Sequence, residues 1–249
     1  MNIIEIQNLF YQYPDSSFGL HGINLCVRAG ELLVIAGTNG SGKTTLLRHL
    51  NGLILPDSGS VNLAGKSVSK NLTRARQLAG MVFQDSDSQS VGETVFDDVA
   101  FGPENLCLPP EEIKKRVTRA MTIVGISHLA DSRPHTLSGG EKRKLAIAGV
   151  LAMNPKIIAF DEPFSGLDYP GVCQILKQIL ALHNTGHTII ITTHDIEKII
   201  AHAGRLIFME KGKIVRQGTP DRLISESETF GVRQPCASKF GMEIQSWLN

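Results

Sequence analysis

The chain is short of cysteine, of surplus charge and of long apolar runs, and each shortage closes off a class of protein. Its four cysteines, Cys26, Cys107, Cys173 and Cys236, stand far apart and outside any CxxC or Cys/His cluster. That excludes a disulfide framework and a structural zinc site, and fits a reducing compartment. Lysine and arginine number 25 against 24 aspartates and glutamates, a formal charge of +1. Such a balance offers no footprint for a nucleic-acid backbone. No stretch approaches the roughly 20 apolar residues that cross a bilayer. The opening "MNIIEIQNLF" carries Glu5 inside its apolar run and has no basic start, so it does not read as a secretory signal. The expectation is a chain soluble by itself, which reaches a membrane only through partners that supply the spans. No internal repeat or low-complexity tract is present.

What the chain does have is a series of short aliphatic runs: "ELLVIAG" from Glu31, "KIIAF" from Lys156, "TIIIT" from Thr188 and "RLIFM" from Arg205. Four to six β-branched and aliphatic residues between turn or helix-start signals predict buried strands of a mainly parallel sheet, joined by helices. "IIEIQNL" and "SVNLAGKSV" are more polar and predict a smaller antiparallel layer; "RLIFMEKGKIVRQG" predicts a hairpin turning near Lys211 and Gly212. In the middle, "PPEEIKKRVTRAMTIVG" puts Ile113, Val117, Ala120, Met121 and Val124 on one helical face, with Pro109 and Pro110 before an acidic first turn and Gly125 at the end. From about Gln84 to Met153 no buried strand is predicted, so a helical insertion interrupts an α/β core. The last thirty residues, with Pro220, Pro235 and scattered apolar positions, carry no readable period.

Two motifs bring chemistry to this frame. "GTNGSGKTT" places Gly37, Thr38, Asn39, Gly40, Ser41, Gly42, Lys43, Thr44 and Thr45 between the "LLVIA" strand and a helix carrying Leu46, Leu47 and Leu50. This is the GxxxxGK[ST] phosphate loop in its required context. Glycines let backbone N–H groups face phosphate oxygens, and the helix offers its positive end. Lys43 would then pair with the β- and γ-phosphates, and Thr44 would ligate Mg²⁺. "KIIAFDEP" delivers Asp161 and Glu162 at the carboxyl end of a strand, where open parallel sheets hold ligands. Asp161 suits Mg²⁺, and Glu162 suits a general base for attacking water.

A third motif, "LSGGE", starts a helix at Ser138, Gly139, Gly140 and Glu141, far downstream of the first phosphate loop. The same dipole logic makes it a second phosphate contact, useful only toward another molecule's nucleotide. Taken in order over residues 3 to 220, these motifs resemble the ATP-binding subunits of ABC (ATP-binding cassette) transporters. The resemblance implies one ATPase domain over 1–249. Residues 1–84 and 154–220 form a P-loop NTPase (RecA-like) core with an antiparallel β layer, 85–153 an inserted α-helical signature subdomain, and 221–249 a short C-terminal extension. It implies head-to-tail pairing with a second ATPase subunit, homodimer or paralogous heterodimer, so that Ser138, Gly139, Gly140 and Glu141 meet the partner's ATP. Tyr13 in "YQYP" matches the aromatic that stacks on adenine, with Tyr11 and Phe10 as near competitors. Gln84 in "MVFQD" matches the glutamine that touches Mg²⁺ or the attacking water. Asp168 in "SGLD" matches the residue that crosses the dimer interface, and His194 in "ITTHD" the switch histidine at the γ-phosphate.

"FQDSDSQSVGETVFDDVAFGPENL", 83–106, and "KLAIAGVLAMNP" further resemble the energy-coupling-factor branch, which serves cobalt, nickel and vitamin uptake. That branch implies a transmembrane coupling subunit received beside Gln84 to Val95, a separate membrane substrate-binding subunit, and a peripheral place on the cytoplasmic face of the cell membrane. "PFSGLDYPG" departs from the commoner "PTAGLDPxG", and the tail is shorter than in many relatives; neither touches the nucleotide chemistry. One phosphate loop, one "LSGGE", near-neutral charge and no heptad run speak against a soluble DNA-repair or ribosome-associated cassette. The filled catalytic positions speak against a silent one.

Overall fold

The structure, a computed structural model, describes residues 1–15, 19–84 and 90–248. Asp85, Asp87 and Gln89 of the energy-coupling-factor motif lie outside the described residues. Two sheets and a group of helices make up the fold. The first sheet runs β2 (Gly19–Arg28), β1 (Asn2–Gln12), β4 (Ser58–Leu63), β5 (Lys66–Ser67), with every pair antiparallel. The second has order β10-β9-β3-β8-β7-β6, from β3 (Leu32–Ala36), β6 (Ala79–Val82), β7 (Ile157–Asp161), β8 (Thr188–Thr193), β9 (Arg205–Glu210) and β10 (Lys213–Gly218). All its pairs are parallel except the β9–β10 hairpin, which turns through Lys211 and Gly212 as expected.

The aliphatic runs are buried on both faces because successive side chains of a strand point to opposite sides. Leu33, Ile35, Ile157, Ala159, Ile190 and Ile207 join one core with β1, β2 and the helix α1 (Lys43–Leu50). Their neighbours Leu32, Val34, Ile158, Phe160, Ile189, Ile191 and Leu206 join the other, with α6 (Tyr169–Asn184). Between β6 and β7 the chain is helical: α3 (Val95–Asn105), α4 (Pro110–Val124) and α5 (Gly139–Ala152), with no strand among the described residues. The predicted face of α4 packs inward through Val117, Ala120, Met121 and Val124, while Ile113 is half-buried; Gly125 ends the helix at φ 73°. Short helices α2 (Leu72–Leu78), α7 (Pro220–Leu223) and α8 (Cys236–Lys239) complete the description.

Two strands escaped the sequence reading. β2 hides because Gly22 and His21 dilute its alternation, and β6 because four residues, "AGMV", are too few to show a period. β6 nevertheless matters: its parallel register with β7, Val82 opposite Phe160, carries Gln84 to the same sheet edge as Asp161.

Candidate active site

Three adjacent parallel strands deliver their next residues to one edge. Ala36 pairs with Thr193, and Asp161 with Thr192, so Gly37, Glu162 and His194 emerge side by side from β3, β7 and β8. This is the carboxyl end of the strands, where backbone amides of the following turns are free for a ligand.

The loop after β3 is shaped by what cannot fit there. A Cβ on Gly37 would lie 2.3 Å from the carbonyl oxygen of Met209, and one on Gly42, at φ 100°, would lie 2.9 Å from Leu20. Gly42 caps α1 in the left-handed conformation, with no side chain on the first amides. Those amides and the helix dipole therefore face outward, toward an anion. Thr38, Asn39 and Gly40 are exposed at the loop's crest, and the Ser41 hydroxyl, buried beneath it, has no hydrogen-bond partner. Thr45 is half-buried on the first turn of α1.

Lys43 folds back under this loop. Its Nζ donates to the carbonyls of Gly37 at 2.8 Å and Thr38 at 3.0 Å, and lies 3.9 Å from Glu162 Oε1. Burial pushes the ammonium below the ordinary lysine range, an effect opposed by the carboxylates of Glu162 and Asp161. Lys43 thus holds bonds that a phosphate can replace with stronger ones.

Asp161 is buried and gripped from two sides. Thr44 Oγ1 donates to Oδ2 at 2.8 Å and is 3.0 Å from Oδ1, while Thr192 Oγ1 donates to Oδ1 at 2.6 Å. A hydroxyl against a carboxylate is a hard oxygen pair of the kind Mg²⁺ takes alongside phosphate and water. The residues present fit that ion. The described residues hold no group of three or more His, Cys, Asp or Glu for an all-protein metal cage; Thr44 and Asp161 are the residues that would hold the ion.

Glu162 follows at φ 49°, a left-handed backbone unusual for a residue with a side chain, fixed by its amide bonding Thr192 O at 3.0 Å. Its Oε1 is buried, 2.9 Å from His194 Nδ1, yet not aligned with it as a hydrogen bond. The imidazole itself is half exposed. Gln84 is exposed and donates from Nε2 to Ser165 Oγ at 3.4 Å, so in this conformation it meets the loop after Glu162 rather than the Thr44–Asp161 pair.

Among the aromatics, Tyr11 is a buttress. Its ring packs edge-on against His49 and Tyr13, at 5.1 and 5.0 Å between centroids. Tyr13 lies outside it, half-buried, with its hydroxyl 3.4 Å from Thr45 Oγ1. That places Tyr13 beside the phosphate loop.

The "LSGGE" group forms a separate structure. Ser138 caps α5, its hydroxyl and amide both donating to Glu141 Oε2 at 2.6 and 2.8 Å. The Ser138 hydroxyl holds the Glu141 carboxyl below its ordinary range. Glu141 is thereby turned back onto its own helix, while Gly139 and Gly140 would carry a Cβ into open space. Among the described residues no side-chain hydrogen bond or ion pair links 138–141 to the phosphate loop. Asp168 is exposed and caps α6, accepting from the Gly171 amide at 2.9 Å.

The sequence reading missed three supporting residues: Thr192 behind Asp161, Ser165 beside Gln84, and Arg143, buried on α5, whose guanidinium donates to Phe83 O at 2.9 Å. A threonine closing an otherwise aliphatic strand was the available signal for Thr192.

The ABC transporter family model matches residues 20–165. The energy-coupling factor transporter ATP-binding protein EcfA of Methanocaldococcus jannaschii is 44% identical over 233 residues, 92% of this chain and 84% of that protein. The protein of the same name from Methanococcus maripaludis is 46% identical over 232 residues, with the same coverage. Among solved structures, cbiO1 from Clostridium perfringens, part of the ABC transporter complex cbiONQ, superposes with a TM-score of 0.82 at 40% identity, covering 92% of each chain.

Proposed function

The chain belongs to the ABC transporter ATPases and shares the P-loop NTPase fold of their cassettes, and from that premise we propose that it is the ATP-hydrolysing subunit of an energy-coupling-factor importer that takes up cobalt, nickel or a vitamin. Its relatives named for that transporter support the class. The observation that carries the chemistry is one sheet edge: Lys43, the Thr44–Asp161 pair, Glu162 and His194, with contacts among them of 2.8 to 3.9 Å.

In this reading the amides of residues 37–45 wrap the phosphates, Tyr13 stacks on adenine, and Lys43 leaves the carbonyls of Gly37 and Thr38 for the β- and γ-phosphates. Thr44, Asp161 and Gln84 hold Mg²⁺, which when bound neutralises the charge on the phosphate oxygens. Glu162 takes the proton of the attacking water, His194 contacts the γ-phosphate, and displacement is in line. Ser138, Gly139 and Gly140 serve the partner's nucleotide, with Glu141 holding the cap and Asp168 crossing the interface. Residues 1–84 and 154–220 act as the core, 85–153 as the helical subdomain, and 221–249 as an extension. Closure of the paired ATPases moves a membrane subunit docked near Gln84 to Val95. Among the described residues no helix is long and apolar enough to cross a membrane, so the reading assigns the spans and the substrate site to other chains.

The test is to tag the chain in its own cell, solubilise membranes gently and identify what copurifies. One helical coupling protein with a separate substrate-binding membrane protein is the expected result, and the ligand of the latter names the substrate. A conventional permease pair would replace the energy-coupling-factor assignment, and purely soluble partners would end the transport reading.

A further inference from the structure

Residues 235–248 belong to none of the motifs above, and they contain Trp247, the chain's one tryptophan. The segment is nonetheless tied down at defined points. The carbonyl oxygen of Trp247 accepts from the Tyr169 hydroxyl at 3.3 Å and from Cys173 Sγ at 3.4 Å. Tyr169 and Cys173 are four residues apart on α6, so both donors rise from one helical face. The indole lies on the Tyr169 ring, centroids 5.6 Å apart and planes tilted by 36°. One residue earlier, Ser246 Oγ sits 2.9 Å from His202 Nε2. At the other end of the segment the Cys236 amide donates to Glu197 Oε1 at 3.2 Å. Ile244, Trp247 and Leu248 add apolar contact with the larger core.

The anchor points share a location. Tyr169 directly follows Asp168, the cap of α6, while Glu197 and His202 follow His194 within one short stretch of chain. We propose that residues 235–248 form a strap that holds the start of α6 against the stretch behind His194, making Trp247 a positioning residue for Asp168. The proposal rests on the reading of Asp168 as the residue that acts across the subunit interface. Tyr169 stays 61% exposed even beneath the indole, so the strap is what covers the outer side of the first turn of α6, whose inner side is held by Val172 in the core. The Asp168 carboxylate is aimed by its bond to the Gly171 amide, inside the turn that Tyr169 and Cys173 pin. Releasing the turn lets Asp168 wander by the sub-ångström to ångström amounts that a preorganised site does not tolerate.

The test compares Trp247→Ala, Trp247→Phe, Tyr169→Phe and Asp168→Asn in the transporter complex purified with its membrane subunits, measuring ATP hydrolysis against ATP concentration. Trp247→Ala is expected to lower kcat about 3- to 10-fold with KM within about twofold of wild type, because ATP binding to the phosphate loop is untouched. Trp247→Phe keeps the carbonyl and a ring over Tyr169, and restores kcat. Tyr169→Phe removes one hydroxyl without opening a cavity and lowers kcat in the same direction, which guards against a folding defect in the alanine variant. Wild-type kcat in Trp247→Ala, or an effect confined to melting temperature or KM, would overturn the strap. Asp168→Asn keeps an acceptor for the Gly171 amide but loses the charge. Wild-type kcat there would remove the premise about Asp168 instead, and so tells the two failures apart.

Discussion

Glu162 combines three unusual conditions: a left-handed backbone, burial, and an oxygen 2.9 Å from an imidazole without an aligned hydrogen bond. A structural carboxylate would be expected to relax at least one of them, whereas a general base held ready for water needs its acceptor kept free. Glu162→Gln keeps size and polarity but cannot take a proton. We expect phosphate release to fall at least about 10²-fold, with nucleotide affinity retained and the ATP-bound pair long-lived; near-normal turnover would assign the base elsewhere. His49 carries a different expectation. Buried against Tyr11, with Nδ1 2.8 Å from Thr45 O and Nε2 without a partner, it is held neutral: burial lowers its pKa, opposed by the Thr45 carbonyl and Asp57. Below about pH 6.5 the unfolded chain takes up a proton that the fold refuses, so stability falls as pH drops through that value, by at most about 1.4 kcal/mol per pH unit. His202, also lowered by burial, contributes with the same sign. Urea midpoints from pH 7.5 to 5.5 should show the loss, and His49→Leu should flatten part of it.

At the scale of elements, two close approaches make opposite predictions. Where β6 crosses α5, a Cβ on Gly80 would lie 2.3 Å from Val150 Cγ1. Gly80→Ala should destabilise by about 1–3 kcal/mol through overpacking, because the β-branched Val150 can clear the new methyl only by leaving its preferred χ1 rotamer. In the β4–β5 hairpin, Leu63 faces Lys66 across Ala64 and Gly65, both at positive φ, 46° and 73°. That turn favours Asn–Gly, so Ala64→Asn should stabilise by about 0.5–1 kcal/mol in thermal unfolding. An unchanged or lower melting temperature would mean that Ala64 is not strained there. The same contrast explains what sequence could show. Strands β3, β7, β8 and β9 were legible because burial on both faces demands unbroken aliphatic runs, and α4 because proline, acidic first turn and terminal glycine bracket a 3.6-residue period. The phosphate loop, Asp161 and Glu162 were legible because their chemistry is local in sequence. β6 was not, since its identity comes from pairing with β7. Nor was the use of Thr192, Arg143 and Trp247, whose partners lie 31, 60 and 74–78 residues away.

For the whole molecule the decisive question is whether one chain contains a complete site. Thr44 bonds Asp161, and Glu162 lies against both Lys43 and His194, while Cβ atoms on Gly139 and Gly140 would meet nothing within 4 Å. Ser138 caps this helix at the Glu141 amide, and on the proposed reading the Gly139 and Gly140 amides serve an anion held by a second chain. Gly139→Asp tests this with little risk to folding: its Cβ meets nothing within 4 Å, and a carboxylate at a helix N-terminus favours the dipole. The melting temperature should hold or rise, yet a negative charge where the partner's phosphate belongs should abolish turnover. Lys43→Ala should abolish it from the other side. Mixing the two inactive variants then separates the arrangements. If each site joins one chain's phosphate loop to another's "LSGGE", and the chain pairs with itself at random, half the dimers are mixed. Each mixed dimer then has one intact site, so about a quarter of wild-type activity returns. If the site is complete within one chain, both variants stay dead in any mixture. Pairing with a paralogous ATPase would give a third pattern: the variants stay inactive in any mixture with each other, yet each alone regains about half of wild-type activity once the second subunit is supplied, because one of the two sites in every heterodimer is intact.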